Sequence, residues 1–276
     1  MAEPLPPIFV LCAARSGSTL LRYILDTHPA ISAPPELHLL LAARQLLWIH
    51  EHTARVPSTN PGRSPKAEPP AERVRGILTA IMDEYAARAH KPLWAEKSVS
   101  SVDCLDVLAK VFPSARLICL HRQAPDVMAS CAEAGKNQRG TFGFEPFVAR
   151  TPGNPVDGLA DYWLDKSRRL LEAERDRNNS CLRVKYEDLV TDPGGTLATI
   201  CEFLKLPLPQ DLLDSVFKAP HSVGPGDSKI LATTTIHSRS IGHGQRLSMN
   251  QLSADRREKI DALHAQLGYA PLEVAQ

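Results

Sequence analysis

The segment that most constrains the fold lies near the amino end of the chain, where three patterns follow one another. Residues 8–12 form a short, continuous apolar run, which is typical of a strand buried on both faces of a parallel sheet. The turn AARSGS comes next, and residues 19–28 then place leucine and isoleucine at helical spacing. This strand–turn–helix unit predicts an α/β protein.

Strand and helix patterns continue to alternate along the chain. Further strands are predicted at 92–97, at 115–122 and within 181–189. Helices are predicted from about Glu36, at 71–89, at 101–112, from Pro125, at 156–177, as a pair bracketing 194–217, and at 253–266 with Ser253 as N-cap. Such alternation indicates a central parallel sheet flanked by helices, and we expect residues 1–276 to form a single domain.

Two segments interrupt this alternation. Residues 51–71 carry five prolines, which exclude a regular helix or a central strand, so they are predicted to be a mobile insertion that acts as a lid. Residues 135–155 contain glycine and proline and are predicted to be a second mobile loop. A polar segment follows at 219–248. We expect the first two loops to shape a substrate pocket.

Composition excludes several classes of protein. Lys and Arg number 32 against 31 Asp and Glu, a net charge of +1 that argues against coating nucleic acid. The longest apolar stretches fall far short of the roughly 20 residues of a membrane-spanning helix. The amino end lacks the pattern of a secretory signal, which predicts a cytoplasmic protein. None of the six cysteines forms a CxxC pair, so buried reduced thiols are expected rather than disulfides or a zinc site.

The turn after the first strand has the chemistry of an anion site. Backbone N–H groups at a helix N-terminus attract phosphate or sulfate, and Gly17 lets the backbone approach the anion closely. Ser18 and Thr19 add hydroxyl donors, while Arg15 adds a positive charge. The loop alone fits equally well an ordinary strand–turn–helix connection with a capping serine.

Three familiar loops do not match this turn. A nucleoside-triphosphate P-loop requires a lysine where Ser18 stands and a glycine where Cys12 stands. A cysteine-dependent phosphatase loop would place arginine six residues after Cys12, at the position of Ser18. The G-x-S-x-G pattern of a hydrolase nucleophile is also missing from the turn.

A second candidate anion site follows the strand at 115–122. Arg122 ends this strand, and Ser130 lies eight residues later, inside the next helix. A strand-end arginine and a serine one to two turns into a helix can converge on one phosphate. Taken alone, this pair is better explained as a surface arginine and a helix serine without a shared ligand. Two anion sites together suggest a ligand with two phosphate-like groups.

With these two sites the sequence resembles the sulfotransferases that use 3′-phosphoadenosine-5′-phosphosulfate (PAPS). The segment RSGSTLL resembles the loop that grips the 5′-phosphosulfate, and Arg122 with Ser130 resembles the 3′-phosphate site. VKYEDLVTDP and SIGHGQR resemble two further family segments, with Tyr186 near adenine and Arg246 folding over the nucleotide. The resemblance implies a P-loop-like sulfotransferase fold and these nucleotide-binding residues: Arg15, Ser16, Gly17, Ser18, Thr19, Leu20, Arg122, Ser130, Tyr186 and Arg246.

The chain departs from the cytosolic small-molecule branch of the family, because Arg15 stands where that branch has lysine. The stretch from Arg15 to Glu36 is more similar to protein-tyrosine sulfotransferases and bacterial sulfotransferases of secondary metabolism, such as antibiotic biosynthesis. There Glu36 would be the base, and AEKS would place Lys97 on the catalytic lysine. Glu36, Lys97 and Arg15 are therefore the expected catalytic residues, with no metal ion. Apart from the resemblance, Glu36 reads as an acidic first-turn residue and Lys97 as a surface lysine.

The expected reaction is transfer of a sulfonate group from PAPS to a hydroxyl on a small molecule or carrier-bound intermediate, leaving 3′,5′-ADP. One alternative is an atypical P-loop kinase, which needs a magnesium-binding aspartate and a Walker lysine that the sequence lacks. Another is a non-catalytic nucleotide-binding module, against which Glu36 and Lys97 argue. Three histidines are candidates for the lining of the acceptor pocket, and none of them is assigned a catalytic role: His38, His237 and His243. His121 is predicted to face the packed interior.

Overall fold

All strands of the computed structural model belong to one parallel sheet. The structure describes residues 5–53, 69–136, 142–224, 230–247 and 249–272. Within these ranges the five strands lie in the order β2-β3-β1-β4-β5. They are β1 (Ile8–Cys12), β2 (Ile31–Ser32), β3 (Leu93–Lys97), β4 (Arg116–His121) and β5 (Cys181–Lys185).

Helices connect the strands and cover both faces of the sheet. They are α1 (Ser18–Thr27), α2 (Leu39–Thr53), α3 (Pro70–Arg88), α4 (Leu105–Val111), α5 (Ala124–Lys136), α6 (Glu145–Ala149), α7 (Pro155–Asp176), α8 (Tyr186–Thr191), α9 (Pro193–Leu204), α10 (Leu212–Ser215) and α11 (Ala254–Leu267). Helices α3, α7 and α9 begin with proline, where the missing N–H costs no intrahelical bond. Asn154 and Asp192 cap the latter two with side-chain oxygens.

The apolar run of β1 has become the centre of a three-layer core. Ile8, Val10 and Cys12 face a cluster that includes α1, α8 and α9. Phe9 and Leu11 face the opposite cluster, with α2, α3, α4 and α7. Every residue of this strand is buried, as expected where helices cover both faces of a parallel sheet. The predicted fold class, a parallel sheet flanked by helices, is confirmed.

Several element boundaries differ from the prediction. Helix α2 begins at Leu39 rather than near Glu36, because His38 adopts a left-handed backbone conformation (φ 51°) and donates its N–H to Ser98 Oγ. The strand predicted within 181–189 ends at Lys185, and α8 starts at Tyr186, where two acidic residues favour a helix N-terminus. The two-residue strand β2 was not predicted.

Helices extend into the described parts of both predicted loops. Helix α2 continues to Thr53 and α3 begins at Pro70, while residues 54–68 lie outside the described structure. In 135–155, α5 reaches Lys136 and α6 occupies Glu145–Ala149; residues 137–141 are also outside the description. The predicted helix at 101–112 divides into a 3-10 turn at Ser101–Asp103 and α4.

Other details concern the carboxyl-terminal third. The polar segment at 219–248 contains 3-10 turns at Ile230–Ala232 and His243–Arg246, and residues 225–229 are outside the description. Ser253 precedes α11 as predicted, but its hydroxyl makes no capping bond; its N–H instead donates to Asp157 Oδ1 over 2.9 Å.

The six cysteines are free thiols; five are buried and Cys181 is partly buried. None of the helices in the described ranges is long and apolar enough to cross a membrane.

Candidate active site

The carboxyl ends of the central strands meet at one edge of the sheet, as the parallel topology requires. Arg15 follows β1, Lys97 ends β3, and Arg122 follows β4. A cleft of about 190 Å³ opens at this edge. The predicted site residues that line it are Arg15, Gly17, Ser18, Thr19, Leu20, Glu36, Arg122, Ser130 and Tyr186.

The loop between β1 and α1 has the backbone shape that an anion site needs. Arg15 (φ 66°) and Gly17 (φ 88°) both adopt left-handed conformations. A Cβ atom on Gly17 would lie 2.2 Å from Cδ2 of Tyr186, so the ring of Tyr186 rests directly on the glycine. Tyr162 fixes the loop from behind, since its hydroxyl oxygen accepts the N–H of Ala14 over 2.7 Å. The loop and the start of α8 are therefore interlocked at the floor of the cleft.

Arg15 connects the two candidate anion sites. Its Nε donates to Ser130 Oγ over 3.1 Å, and its guanidinium lies 5.6 Å from the ring centre of Phe142. Burial lowers the pKa of Arg15, and the neighbouring Arg122 lowers this pKa as well. The residues assigned to separate 5′ and 3′ anion sites thus form one continuous basic surface.

Arg122 is the most constrained side chain of this surface. It is 6% exposed. Its Nη1 donates to the carbonyl of Arg15 (3.0 Å), its Nη2 donates to the carbonyl of Ser240 (2.5 Å), and its guanidinium stacks 4.2 Å from the ring centre of Tyr186. Its Nε is buried without a partner, although a buried N–H normally has one. Arg122 therefore lines the cleft with most of its donors already engaged.

Glu36 and Lys97 form an ion pair beside the loop. Lys97 Nζ and Glu36 Oε1 are 2.5 Å apart, and the N–H of Val99 donates to Glu36 Oε2 over 3.2 Å. Lys97 is only 2% exposed and Glu36 is 19% exposed. Glu36 lines the cleft, whereas Lys97 lies behind it. The two expected catalytic residues are thus in direct contact, with the carboxylate in front.

A second carboxylate supports this corner, and sequence reasoning missed it. Glu96 is fully buried and accepts hydroxyl donors from Ser98 and Ser101. Burial raises the pKa of Glu96, although these two hydroxyls act in the opposite direction. Ser98 in turn accepts the N–H of His38, two residues after Glu36. The alternating pattern of buried strand residues does not predict this hydrogen-bond network, because the bonds join residues of different elements.

The remaining predicted residues have mixed positions. Ser16 is buried and does not line the cleft. Arg246 ends a 3-10 turn, and its side chain lies outside the described structure. His237 and His243 line the cleft, while His38 is exposed and its Nδ1 contacts Ser100 Oγ at 2.8 Å.

Two further side chains beneath the sheet edge do not reach the cleft. His121 is buried as predicted, and its Nε2 lies 2.7 Å from Glu174 Oε1. Burial raises the pKa of Cys12 to about 11, so this thiol beneath the loop is protonated at neutral pH. It therefore lacks the thiolate of a phosphatase nucleophile.

The geometry can bind an extended anion next to a carboxylate. Helix-terminal N–H groups and two arginines face the cleft, and Glu36 stands at its side. Among the described residues, no group of three or more His, Cys, Asp or Glu side chains could hold a metal ion.

The fold and the cleft define an α/β protein of the P-loop-like class, with an anion loop between its first strand and first helix. Comparison with known families narrows that class, because residues 6–210 match the sulfotransferase family. The chain belongs to this family.

Its relatives come from bacteria and animals. The nodulation protein NoeE of Sinorhizobium fredii is 33% identical over 171 residues, covering 58% of this chain and 37% of that protein. Protein-tyrosine sulfotransferase 1 of Danio rerio is 26% identical over 215 residues, covering 74% of this chain and 54% of that protein. The chain thus spans between about a third and about half of the length of these two relatives.

Solved structures share the fold over nearly the whole chain. The sulfotransferase domain of the Synechococcus PCC 7002 olefin synthase is 26% identical with a TM-score of 0.67, covering 98% of this chain and 97% of that domain. The sulfotransferase domain from the curacin biosynthetic pathway is 21% identical with a TM-score of 0.69, covering 98% of this chain and 100% of that domain. The latter likeness concerns the fold alone.

Proposed function

We propose that this protein transfers the sulfonate group of PAPS to the hydroxyl group of an acceptor. The observation that carries the proposal is the single cleft in which an anion loop, a second buried arginine and a carboxylate meet. Membership of the sulfotransferase family supports the transferred group. The donor supplies an activated sulfonate on a 5′-phosphate, together with a 3′-phosphate.

The residues of the cleft fit such a donor. Gly17 gives the loop its left-handed turn at the start of α1, where backbone N–H groups are free of intrahelical partners and can receive an anion. The guanidinium of Arg122 lines the cleft together with Ser130 and offers positive charge to a second anionic group. The aromatic ring of Tyr186 lies between Gly17 and Arg122 and lines the same cleft.

Each catalytic side chain has one task in this proposal. Glu36 accepts the proton of the acceptor hydroxyl while the oxygen of that hydroxyl forms a bond to sulfur. The bond between sulfur and the 5′-phosphate oxygen breaks, and 3′,5′-ADP leaves with the electron pair of that bond. Lys97 and Arg15 offset the negative charge that grows on the departing oxygen. Positioning and charge stabilisation account for most of the expected rate enhancement.

The ion pair of Glu36 with Lys97 supports this division of tasks. A carboxylate that is 2.5 Å from an ammonium group is held in one orientation toward the cleft. Proton transfer to Glu36 weakens its attraction to Lys97 and leaves the lysine charge available for the departing phosphate. Lys97 thus changes its partner during the transfer, from the carboxylate of Glu36 to the departing phosphate.

We further propose that the acceptor is a small molecule or a carrier-bound intermediate of secondary metabolism. The similarity to the sulfotransferase domain of the olefin synthase supports a biosynthetic setting. The apolar side chains of Phe217, Ile230 and Ile236 also line the cleft and provide a surface for an uncharged ligand.

The test is an activity assay with two donors. The protein is incubated with PAPS and a panel of hydroxyl acceptors, and release of 3′,5′-ADP is measured against an acceptor-free control. A parallel series contains Mg-ATP instead of PAPS. Acceptor-dependent release of 3′,5′-ADP supports the proposal. Phosphorylated acceptor in the Mg-ATP series, with none sulfonated from PAPS, would favour a kinase and contradict the proposal.

A further inference from the structure

One buried carboxylate beside the cleft has no role in the chemistry described above. Asp126 lies in the first turn of α5, four residues after Arg122, and its side chain is 0% exposed. A buried carboxylate is costly unless hydrogen bonds satisfy it. Its contact with Arg122 Nη2 is long, at 3.5 Å, so this ion pair alone does not compensate for burial.

Backbone amides from a distant part of the chain satisfy Asp126 instead. Its Oδ1 accepts the N–H of Gly244 over 2.7 Å, and its Oδ2 accepts the N–H of Gly242 over 3.1 Å. Oδ2 also accepts Nε2 of Gln123 over 2.9 Å. Because charge-assisted bonds to N–H groups are roughly twice as strong as neutral ones, this carboxylate is a firm attachment point for residues 240–244.

Residues 240–244, hereafter the wall segment, are shaped to sit on the start of α5. Gly242 adopts a left-handed conformation (φ 79°). A Cβ atom on Gly244 would lie 2.2 Å from Cβ and 2.8 Å from the carbonyl carbon of Pro125, so only glycine allows this approach. The carbonyl of Ser240 accepts Arg122 Nη2, which adds a third attachment.

The wall segment is also part of the cleft. Ser240 and His243 line it, together with Arg122. A carboxylate in contact with a phosphate would repel it. The oxygens of Asp126 are instead bonded to N–H donors, which separate the carboxylate from a ligand in the cleft. Its charge is thus directed at the wall segment and away from the ligand.

We propose that Asp126 is a positioning residue that docks the wall segment onto α5 and thereby completes the site for the 3′-phosphate. The nucleotide part of this inference rests on the proposed function. Without the carboxylate, two backbone N–H groups lose their acceptor and the carbonyl that orients Arg122 is released. Arg122 then loses its fixed orientation toward the cleft.

The test compares Asp126→Asn with Gly244→Ala, using Asp161→Asn as the matched control. Asn keeps the size of the side chain, but its NH₂ group would face an N–H donor. Gly244→Ala removes the close approach from the other side and leaves the carboxylate intact. Asp161 pairs with Arg256 over 3.0 Å and does not line the cleft, so its variant reports the general effect of losing an acidic group.

Two readouts separate positioning from general damage. Hydrogen exchange at the amides of Gly242 and Gly244 should accelerate in both test variants, while the sheet amides stay protected. Affinity for 3′,5′-ADP should fall about tenfold or more, with a much smaller change for 5′-AMP, which lacks the 3′-phosphate. The control should match the wild-type protein in both readouts.

Unchanged exchange in folded Asp126→Asn protein would overturn the inference, and so would equal affinity losses for both nucleotides. If Asp126→Asn does not fold, Gly244→Ala decides by the same two measurements. If the wild-type protein binds neither nucleotide, the proposed donor is wrong. Faster exchange of the two glycine amides in the variants would then still support the docking role.

Discussion

At the scale of single residues, the ion pair of Glu36 and Lys97 governs what can be learned by substitution. Lys97 is 2% exposed, so removing Glu36 altogether would leave a buried ammonium without its counter-charge. Loss of one partner of a buried pair typically costs several kcal/mol of stability. An amide at position 36 removes the proton acceptor and the negative charge, but it keeps a hydrogen-bond acceptor for Lys97 and so limits the loss of stability.

We therefore expect Glu36→Gln to lower turnover by about 10²- to 10⁴-fold, the usual effect of losing a general base. Affinity for 3′,5′-ADP should stay close to that of the wild-type protein, because the loop and Arg122 hold the nucleotide. Steady-state assays with a true acceptor, combined with calorimetric titration of 3′,5′-ADP, measure the two quantities separately.

The matched control for this variant is Glu72→Gln, on the exposed first turn of α3. It should retain both turnover and affinity. Wild-type turnover by Glu36→Gln would show that another residue accepts the proton. His38 and His243 would then be substituted next.

Arg122→Ala is expected to weaken 3′,5′-ADP binding by about 1.5–3 kcal/mol, which is the range for a hydrogen bond to a charged group. The loss for 5′-AMP should be much smaller. Parallel titrations with both nucleotides measure the difference. Similar losses for the two would mean that Arg122 does not recognise the 3′-phosphate.

The sequence predicts best the positions of those candidate residues that follow from strand ends. Arg15 and Arg122 each come directly after a buried strand, and parallel strands bring their carboxyl ends to one edge. Asp126 and Ser240 could not be found in this way. Their contacts join backbone groups to residues more than a hundred positions away, and a backbone carbonyl leaves no mark on residue type.

At the scale of elements, the interlock of Gly17 with Tyr186 ties the first loop to α8. A side chain at position 17 meets two obstacles: the backbone has a φ of 88°, and the tyrosine ring occupies the space of the Cβ atom. We expect Gly17→Ala to lower the free energy of unfolding by about 1–3 kcal/mol and to weaken 3′,5′-ADP binding. Urea denaturation and calorimetric titration measure these effects.

Gly76 provides a control in the same chain. It lies on the exposed side of α3, where a Cβ atom would meet nothing within 4 Å. Gly76→Ala should raise the free energy of unfolding by up to about 1 kcal/mol, because alanine favours a helix interior over glycine. If Gly17→Ala is as stable as the wild-type protein, the interlock is not a constraint on the fold.

His264 joins α11 to the start of α5 in its neutral form. Its Nε2 accepts the N–H of Ala124 over 3.2 Å, so the proton of the ring sits on Nδ1, 2.8 Å from the carbonyl of Ala270. Burial lowers the pKa of His264 below the ordinary 6.5. The unfolded chain therefore binds the second ring proton, which makes the imidazole positively charged, at a higher pH than the folded protein does.

It follows that the contribution of His264 is fully present above about pH 6.5 and is lost as the pH falls through the folded-state pKa. We expect the free energy of unfolding to decrease as the pH falls from about 7 to about 5. His264→Gln should reduce the slope of the free energy of unfolding against pH. Urea denaturation at several pH values measures it. His52→Gln, at an exposed position of α2, should leave the slope unchanged; the same slope in all three proteins would refute the role of His264.

Elements with long apolar patterns were predicted, and the elements that were missed are short. β4 and α7 extend over enough residues to show a period. β2 has two residues and α6 has five, which is too few for any periodicity. Helix α8 was missed because its six residues follow β5 directly, with no Gly or Pro to mark the change from strand to helix.

At the scale of the whole molecule, one ligand would hold together parts from both ends of the chain. The cleft is lined by residues from the first loop, from α5, from α8 and from the wall segment. Binding should therefore oppose global unfolding and not only a local opening. A free ligand concentration of about a hundred times the dissociation constant adds about 2.7 kcal/mol to the free energy of unfolding.

We expect 3′,5′-ADP to raise the melting temperature by several degrees, since about 1 kcal/mol corresponds to roughly 2–4 °C for proteins of this size. Differential scanning fluorimetry with 3′,5′-ADP, 5′-AMP and Mg-ATP measures the effect. The order of stabilisation should place 3′,5′-ADP first. A shift with Mg-ATP and none with 3′,5′-ADP would argue against a sulfonate donor of the proposed kind.

The parallel sheet also has two different edges: the carboxyl ends of the strands form the cleft, and the amino ends lie on the opposite side of the molecule. The turn before β4 lies at the amino ends of the strands, opposite the cleft, and Ser114 is exposed there. Five of the native thiols are buried, so a Ser114→Cys variant would offer reagents one prominent target. Molecules immobilised on a sensor surface through that position would all present their cleft to the flowing solution, and acceptors could be screened without blocking their path of entry.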